Sequence, residues 1–209
     1  MDINKESYLE FKELSAAEEW GKKYYGEWAK IYFKNMNEAR PVLEGLSASP
    51  IESYCGYAYR DINKYLRFGI DTTEGHLYRS LSYVLALSLV NAPRIPEDIV
   101  VYRLVSDEFI QDILNHKKQG IPTIEKGFIS TSLLETISET DEPYTQHSNL
   151  IKLYVKKGTV GIYVPCIANR CNEQEILLFP QGYFRLIDKP YKKNGKQIYE
   201  CELFYFKRV

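Results

Sequence analysis

With 209 residues the chain is long enough for one domain that buries a sizeable core without disulfide bonds. Its 27 lysines and arginines nearly balance its 28 aspartates and glutamates, so the formal net charge of -1 gives no electrostatic reason to expect a nucleic-acid or anionic-membrane partner. The longest apolar stretch, residues 81–90, contains two serines and is too short to cross a bilayer, so no membrane insertion is expected.

The first half of the chain is predicted to be helical. Apolar residues recur at helical spacing over residues 7–34. The segment Ser-Pro-Ile-Glu at residues 49–52 is a strong helix start, because the serine can cap, the proline suits the first helical position and the glutamate completes a capping box. It predicts a helix that continues to Arg67, and a further helix fits residues 75–91.

The second half is predicted to consist mainly of strands. Residues 99–104 are rich in β-branched side chains, and Ser106 can then cap a short helix that continues to Asn115. Further strands are predicted over residues 128–132, 150–155, 160–164, 173–179, 183–187 and 197–206. We therefore predict an α+β protein with a single domain over residues 1–209, in which a mainly helical flank, residues 1–95, precedes a mainly β core, residues 96–209. The core is expected to be a mixed two-sheet β-sandwich.

Cysteine usage and the first residues bear on the metal content and the location of the protein. Cys55, Cys166, Cys171 and Cys201 are scattered, and the one C-x4-C pair has no neighbouring histidine to complete a zinc set. We expect free thiols and no metal. Because no apolar signal-peptide segment opens the chain, the protein is either made in the cytoplasm or a mature or trimmed form of a secreted protein.

Several common catalytic motifs are absent from the sequence. It contains no G-x-G-x-x-G after a strand and no G-x-x-x-x-G-K-[ST], which argues against a Rossmann site and a P-loop. The three histidines lie far apart and none belongs to H-E-x-x-H, and no G-x-S-x-G is present. A zinc hydrolase and a serine hydrolase with a nucleophile elbow are therefore not expected.

The most informative segment is a pair of glutamates at the start of a predicted strand. Residues i and i+2 of a strand project to the same face roughly 6–7 Å apart, so Glu173 and Glu175 are predicted to lie side by side. By itself this pattern is typical of a solvated acidic edge. Upstream lie Arg103 at the end of one predicted strand and Ser130-Thr131-Ser132 in another, which alone would indicate a surface ion pair and ordinary cross-strand hydrogen bonds.

In the order arginine, Ser-Thr-Ser and Glu-x-Glu, these motifs resemble the signature of the ADP-ribosyltransferase exoenzymes, which include the actin-modifying A components of binary toxins. The helix after the capping box is similar to the NAD-side helix of that family, whose two tyrosines and asparagine fall on Tyr54, Tyr59 and Asn63. Residues 17–28 resemble the first helix of the binary-toxin catalytic domains. The resemblance spans nearly the whole chain and implies a transferase with NAD as its substrate and no metal.

The resemblance also implies three catalytic roles. Glu175 would hydrogen-bond the ribose 2′-hydroxyl and stabilise the cationic sugar that forms as nicotinamide leaves. Ser130 would brace Glu175. Glu173 would orient an acceptor arginine and take its proton, because in the family a glutamate at this position accompanies arginine acceptors, whereas a glutamine accompanies asparagine acceptors or Rho-modifying enzymes.

The residues that the resemblance assigns to NAD binding are Arg103, Tyr54, Tyr59, Asn63, Lys152, Thr131 and Ser132. Arg103 would contact the pyrophosphate or the adenosine ribose, and Lys152 occupies the position of a phosphate-binding arginine in the binary toxins. Thr131 and Ser132 would support the fold around the catalytic glutamate. Two tyrosines at i and i+5 do not share a face of an α-helix, so one of Tyr54 and Tyr59 is expected to pack in the core.

The resemblance is less specific about the acceptor and about how the protein reaches it. The recognition turn of the family falls on residues 165–172, where Ile167, Asn169 and Arg170 are the candidate recognition residues. Relatives that modify actin or Rho usually have an aromatic residue in this turn, and this chain has none. Either Ile167 or Arg170 takes the place of that aromatic residue, or the target protein is different. The implied partner is a host protein such as actin, reached by a secreted protein that acts in the target-cell cytoplasm, with a separate delivery component. An NAD glycohydrolase and a non-catalytic binding module remain the alternatives.

Overall fold

The computed structural model describes residues 3–39, 48–139, 146–168 and 173–206. Its helices are α1 Leu14–Ala39, α2 Pro50–Ser53, a π-helical turn Tyr54–Ala58, α3 Tyr59–Phe68, α4 Leu77–Asn91 and α5 Asp107–Lys118. Its strands are β1 Ile99–Val105, β2 Thr123–Glu125, β3 Ile129–Ser132, β4 Asn149–Val155, β5 Gly161–Tyr163, β6 Glu175–Leu178, β7 Gly182–Leu186, β8 Tyr191–Lys193 and β9 Lys196–Phe204. The α+β fold class, with an N-terminal helical region before the β core, is confirmed.

The strands of the described residues form one mixed sheet in the order β2-β7-β9-β4-β1-β3-β6-β5, with β8 added beside β9. β4 and β9 run parallel, whereas β1 is antiparallel to both β3 and β4. β1 and β3 share a single register pair, Tyr102 with Ser132, so the nine strands fall into two halves joined at a narrow junction. The two predicted sheets are therefore continuous with each other at this junction, which places Arg103 beside the Ser-Thr-Ser strand.

Two apolar clusters lie on opposite faces of the central strands, because side chains alternate along a strand. Val101 of β1 belongs to the main core, which α1, α4 and the inner sheet face enclose and in which Leu85 and Leu89 are fully buried. Tyr102 belongs to a smaller cluster on the other face. In the described residues no helix combines the length and the apolarity that crossing a membrane requires.

The N-terminal segment corrects the prediction of a helix from residue 7. Leu9 pairs with Ile99, its amide donating to Asp98 O and its carbonyl accepting from Val100 N, both at 2.9 Å. Since β3 meets β1 only at Tyr102, the first part of β1 has an open edge, and hydrogen bonds with this edge hold the segment extended. Helix α1 therefore begins only after it.

Glu10 ties this segment to the smaller cluster, and its removal should destabilise the fold. It accepts hydrogen bonds from the Tyr102 hydroxyl and, at 2.8 Å, from Lys152 Nζ. Burial raises the pKa of Glu10, but the hydrogen bonds from Lys12, Lys152 and Tyr102 outweigh it and lower the pKa from 4.5 to about 2. A carboxylate whose pKa is lower in the folded than in the unfolded protein stabilises the fold at pH values above its unfolded-state pKa. Glu10→Gln should therefore lose about 1–3 kcal/mol of unfolding free energy at neutral pH.

The measurement is the free energy of unfolding by urea at a series of pH values. The difference between wild type and Glu10→Gln should be full above pH 4.5 and shrink as the pH falls towards the folded-state pKa of about 2. The matched control is Glu18→Gln, whose partner Lys22 is largely exposed, and it should change the free energy by less than about 0.5 kcal/mol. A loss at Glu10 that does not depend on pH would contradict the assignment to its charge.

Candidate functional site

A cavity of about 900 Å³ lies where the π-helical turn, α3, β1, β3 and the turn before β6 meet. This volume is near the upper end of about 300–1,000 Å³ for ligand pockets and suits a dinucleotide. Of the residues that the sequence predicted for the site, the cavity is lined by Tyr54, Tyr59, Asn63, Arg103, Ser130, Thr131, Ser132, Glu173 and Glu175. Residues that are distant in the sequence thus meet around one space.

Glu175 is held at the wall of the cavity by hydrogen bonds to both carboxylate oxygens. It is the first residue of β6, lies opposite Ser132 and is only 3% exposed. Ser130 Oγ donates to Oε1 at 2.5 Å, and Cys55 Sγ lies 3.8 Å from Oε2. A buried carboxylate needs such partners, and here they also set the direction in which its charge acts.

Glu173 reaches the same cavity by a different route from the one predicted. β6 begins at Glu175, so the prediction that Glu173 belongs to the strand is wrong. Gln174 has a left-handed backbone with φ of +45° and is fully buried, where its side chain accepts from Tyr163 Oη at 2.6 Å and its carbonyl accepts from Leu133 N at 3.0 Å. These contacts hold a turn that leaves Glu173 half-buried on the cavity.

Tyr54 and Tyr59 share a face because the helix between them is not a regular α-helix. Residues Tyr54–Ala58 form a π-helical turn, which closes i to i+5 and brings Tyr54 and Tyr59 together with ring centroids 6.4 Å apart. Tyr54 is buried, Tyr59 is 38% exposed, and both line the cavity. Burial, with the nearby Glu175 charge, raises the pKa of the Tyr54 hydroxyl, which therefore stays neutral.

Asn63 connects the helix to the strand that carries Ser130. Its Oδ1 accepts from Phe128 N at 2.8 Å, and its Nδ2 donates to Tyr54 Oη at 3.0 Å. A Cβ at Gly127 would lie 2.7 Å from Asn63 Oδ1, so only glycine permits this approach. Thr131 and Ser132 have supporting contacts as well: Thr131 Oγ1 donates to Ile176 O at 2.8 Å, and Ser132 Oγ accepts from Leu134 N at 3.0 Å.

Three arginines line the cavity, Arg60, Arg67 and Arg103, of which the sequence predicted only Arg103. Arg103 donates through Nη1 to Ser130 O at 3.1 Å, and its Nη2 lies 3.6 Å from Glu125 Oε2. Arg67 donates to both carboxylate oxygens of Glu125 at 2.8 Å. Arg67 follows Asn63 by four residues, a spacing that could have placed it on the same helix face. Burial raises the pKa of Glu125, but the Arg67 hydrogen bond and the two guanidinium charges lower it further than burial raises it.

Two other predicted residues, Lys152 and Ile167, are not among the described residues that line the cavity, and two more cannot be placed because they lie outside the described residues. Lys152 pairs with Glu10 and lies outside the set of residues that line the cavity, so its phosphate contact stays a prediction without support from this geometry. Ile167 packs in the main core, away from the cavity lining. Asn169 and Arg170 lie outside the described residues.

No group of three or more His, Cys, Asp or Glu side chains is arranged to bind a metal ion within residues 3–39, 48–139, 146–168 and 173–206. Cys201 is a buried free thiol, and Cys171 lies outside the described ranges.

The geometry agrees with the family indicated by the motifs. The family model of the ADP-ribosyltransferase exoenzymes matches residues 17–198, and the chain belongs to this family. Enzymes of this family transfer ADP-ribose, for which NAD is the substrate. No curated protein matches the chain significantly.

Solved structures share the fold. BECa, an ADP-ribosylating toxin of a binary enterotoxin of C. perfringens solved with NADH, is 23% identical with a TM-score of 0.72, over 94% of this chain and 50% of that one. Plx2a, an ADP-ribosyltransferase toxin from Paenibacillus larvae, is 21% identical with a TM-score of 0.67, over 93% and 98%. The C3 exoenzyme of Clostridium limosum is 20% identical with a TM-score of 0.67, over 95% and 98%. The chain thus spans about half the length of BECa.

Proposed function

We propose that this protein is a mono-ADP-ribosyltransferase that cleaves NAD at the nicotinamide–ribose bond and attaches ADP-ribose to an arginine of a target protein. The observation that carries the proposal is the convergence of Glu173 and Glu175 on the cavity that Arg103 also lines. The cavity then has a group for each of three tasks: holding the diphosphate, stabilising the sugar cation and preparing the acceptor.

The first chemical task is to stabilise an oxocarbenium-like ribose as neutral nicotinamide leaves. Glu175 supports this role because it is buried and held by Ser130 and Cys55, so its negative charge is already oriented before the reaction begins. A preorganised charge in a water-poor site stabilises the transition state more than the ground state. Loss of that charge should therefore slow the bond cleavage itself.

The second task is to make an arginine react. A guanidinium has a pKa above about 12 and is a poor nucleophile until a base orients it and removes a proton. Glu173 suits this role because it lies at the cavity, two residues before Glu175, and is less buried than Glu175. A carboxylate matches the planar guanidinium in a bidentate pair, which an amide cannot do with two acceptors. This difference supports arginine as the acceptor.

Binding of the diphosphate is supported by the guanidinium groups of the cavity. Arg67 and Arg103 both line the cavity, and their guanidinium groups are, among the described residues, the cationic groups nearest to Glu125. Arg67 and Arg103 lie near each other because both contact the carboxylate of Glu125. Planar guanidinium groups suit phosphate oxygens, and the rings of Tyr54 and Tyr59 supply an adjoining aromatic wall.

We also propose a host protein as the acceptor, with actin as the first target to test, and a separate delivery component that brings the secreted protein into the target-cell cytoplasm. The support is the likeness to BECa, which is one part of a binary enterotoxin.

Incubation with labelled NAD, with and without host-cell lysate or purified actin, tests the proposal. We expect label on a discrete protein band, and mass spectrometry should place it on an arginine. Release of nicotinamide without labelled protein would instead indicate an NAD glycohydrolase, and neither product would indicate a binding module. Label on asparagine or another side chain would contradict the acceptor assignment alone.

A further inference from the structure

Glu125 is a buried carboxylate that contacts two of the three arginines of the cavity, Arg67 and Arg103. It is the last residue of β2 and only 4% exposed. Arg67 donates to both of its oxygens at 2.8 Å, Gly127 N donates to Oε1 at 2.8 Å, and Arg103 Nη2 lies 3.6 Å from Oε2. Helix α3, strand β1 and the start of the Ser-Thr-Ser strand therefore meet at one carboxylate.

Charge is not balanced within this group of three side chains. One carboxylate faces two guanidinium groups, which leaves one positive charge in excess, and the side chain of Arg103 is only 16% exposed. A buried charge is costly unless it is paired. The excess positive charge favours an anionic ligand beside these two guanidinium groups, which both line the cavity. Glu125 itself is not one of the described residues that line the cavity, so it acts through the arginines.

We propose that Glu125 is a positioning residue that orients Arg67 and Arg103 towards the diphosphate of the substrate. The proposal rests on the proposed function for the identity of that substrate, NAD. The guanidinium group of Arg67 keeps a fixed orientation only while both carboxylate oxygens of Glu125 accept hydrogen bonds from it. In Glu125→Gln one of those oxygens becomes an NH₂ donor, which faces a guanidinium donor, and at least one arginine must turn away.

Steady-state nicotinamide release by the purified full chain measures the effect. Glu125→Gln should raise the KM for NAD about 10- to 100-fold, the effect of one lost charge-assisted interaction, and change kcat by less than about 3-fold. Glu125→Asp keeps the charge and should recover most of the affinity. The matched control is Glu202→Gln, which breaks the Arg185 ion pair between β7 and β9 and should leave both constants unchanged.

A titration with ADP-ribose and with adenosine separates positioning from a general loss of structure. Glu125→Gln should weaken ADP-ribose and leave adenosine, which has no phosphate, unaffected. An unchanged KM for NAD, or equal weakening of the two ligands, would overturn the proposal. If Glu125→Gln does not fold by circular dichroism, Arg67→Lys, which keeps the charge but loses the fork, must show the same selective loss or the proposal fails. Wild type that neither binds nor cleaves NAD would instead reject the proposed function.

Discussion

Glu175→Gln should lower the turnover of NAD cleavage by a factor of about 10² to 10³, and hydrolysis and protein transfer should fall together. Glutamine has nearly the same shape and can still accept from Ser130 Oγ, so the variant removes chiefly the negative charge. Because that charge stabilises the cationic ribose before any acceptor reacts, its loss affects both outcomes equally. Nicotinamide release and label incorporation, measured at saturating NAD, give the two rates.

A control must show that loss of a buried carboxylate alone does not have this effect. Glu200 of β9 is 9% exposed and accepts hydrogen bonds from Tyr154 Oη at 3.0 Å and Lys5 Nζ at 2.5 Å, in the smaller cluster. Glu200→Gln should reduce the stability of the fold and leave turnover by the folded protein unchanged. Wild-type turnover in Glu175→Gln would mean that another group stabilises the sugar.

Glu173→Gln should separate the two activities. Transfer to arginine should fall by about 10² or more, because a positioned general base contributes about that factor and the amide cannot take a proton from the guanidinium. NAD hydrolysis should persist, since water can still attack the sugar while Glu175 remains. The measurement is the ratio of labelled protein to released nicotinamide, which should drop in this variant and stay constant in Glu175→Gln.

A small guanidine compound as acceptor distinguishes chemistry from docking of the target protein. If Glu173 activates the guanidinium, transfer to free arginine should fall as much as transfer to protein. If only transfer to protein falls, Glu173 contacts the target surface instead. Equal loss of hydrolysis and transfer would contradict the separate roles of the two glutamates.

Local sequence determined those features whose causes lie within a few residues. Ser49 and Glu52 form the predicted capping box, with Glu52 N donating to Ser49 Oγ at 3.3 Å and Ser49 N to Glu52 Oε2 at 2.9 Å. Ser106 likewise caps α5. Runs of β-branched and apolar residues between turn residues placed most strands within a few residues of their observed bounds, and the spaced motifs identified nine of the residues that meet at the cavity. Caps and periodicity depend on neighbouring backbone, so they can be read from the sequence.

Tertiary structure alone decided which partners polar side chains take in distant segments of the chain. Nothing near Lys152 in the sequence indicates that Glu10 would bind it, and no motif marks Glu125 as the partner of Arg67. The buried contacts of Gln174 likewise determine that β6 starts at Glu175. Ion pairs and buried hydrogen bonds join segments far apart in the chain and depend on which groups the fold excludes from water. The residues that meet at the cavity were therefore largely predictable from the spaced motifs and their resemblance to a family, whereas the ion pairs and hydrogen bonds between them required the fold.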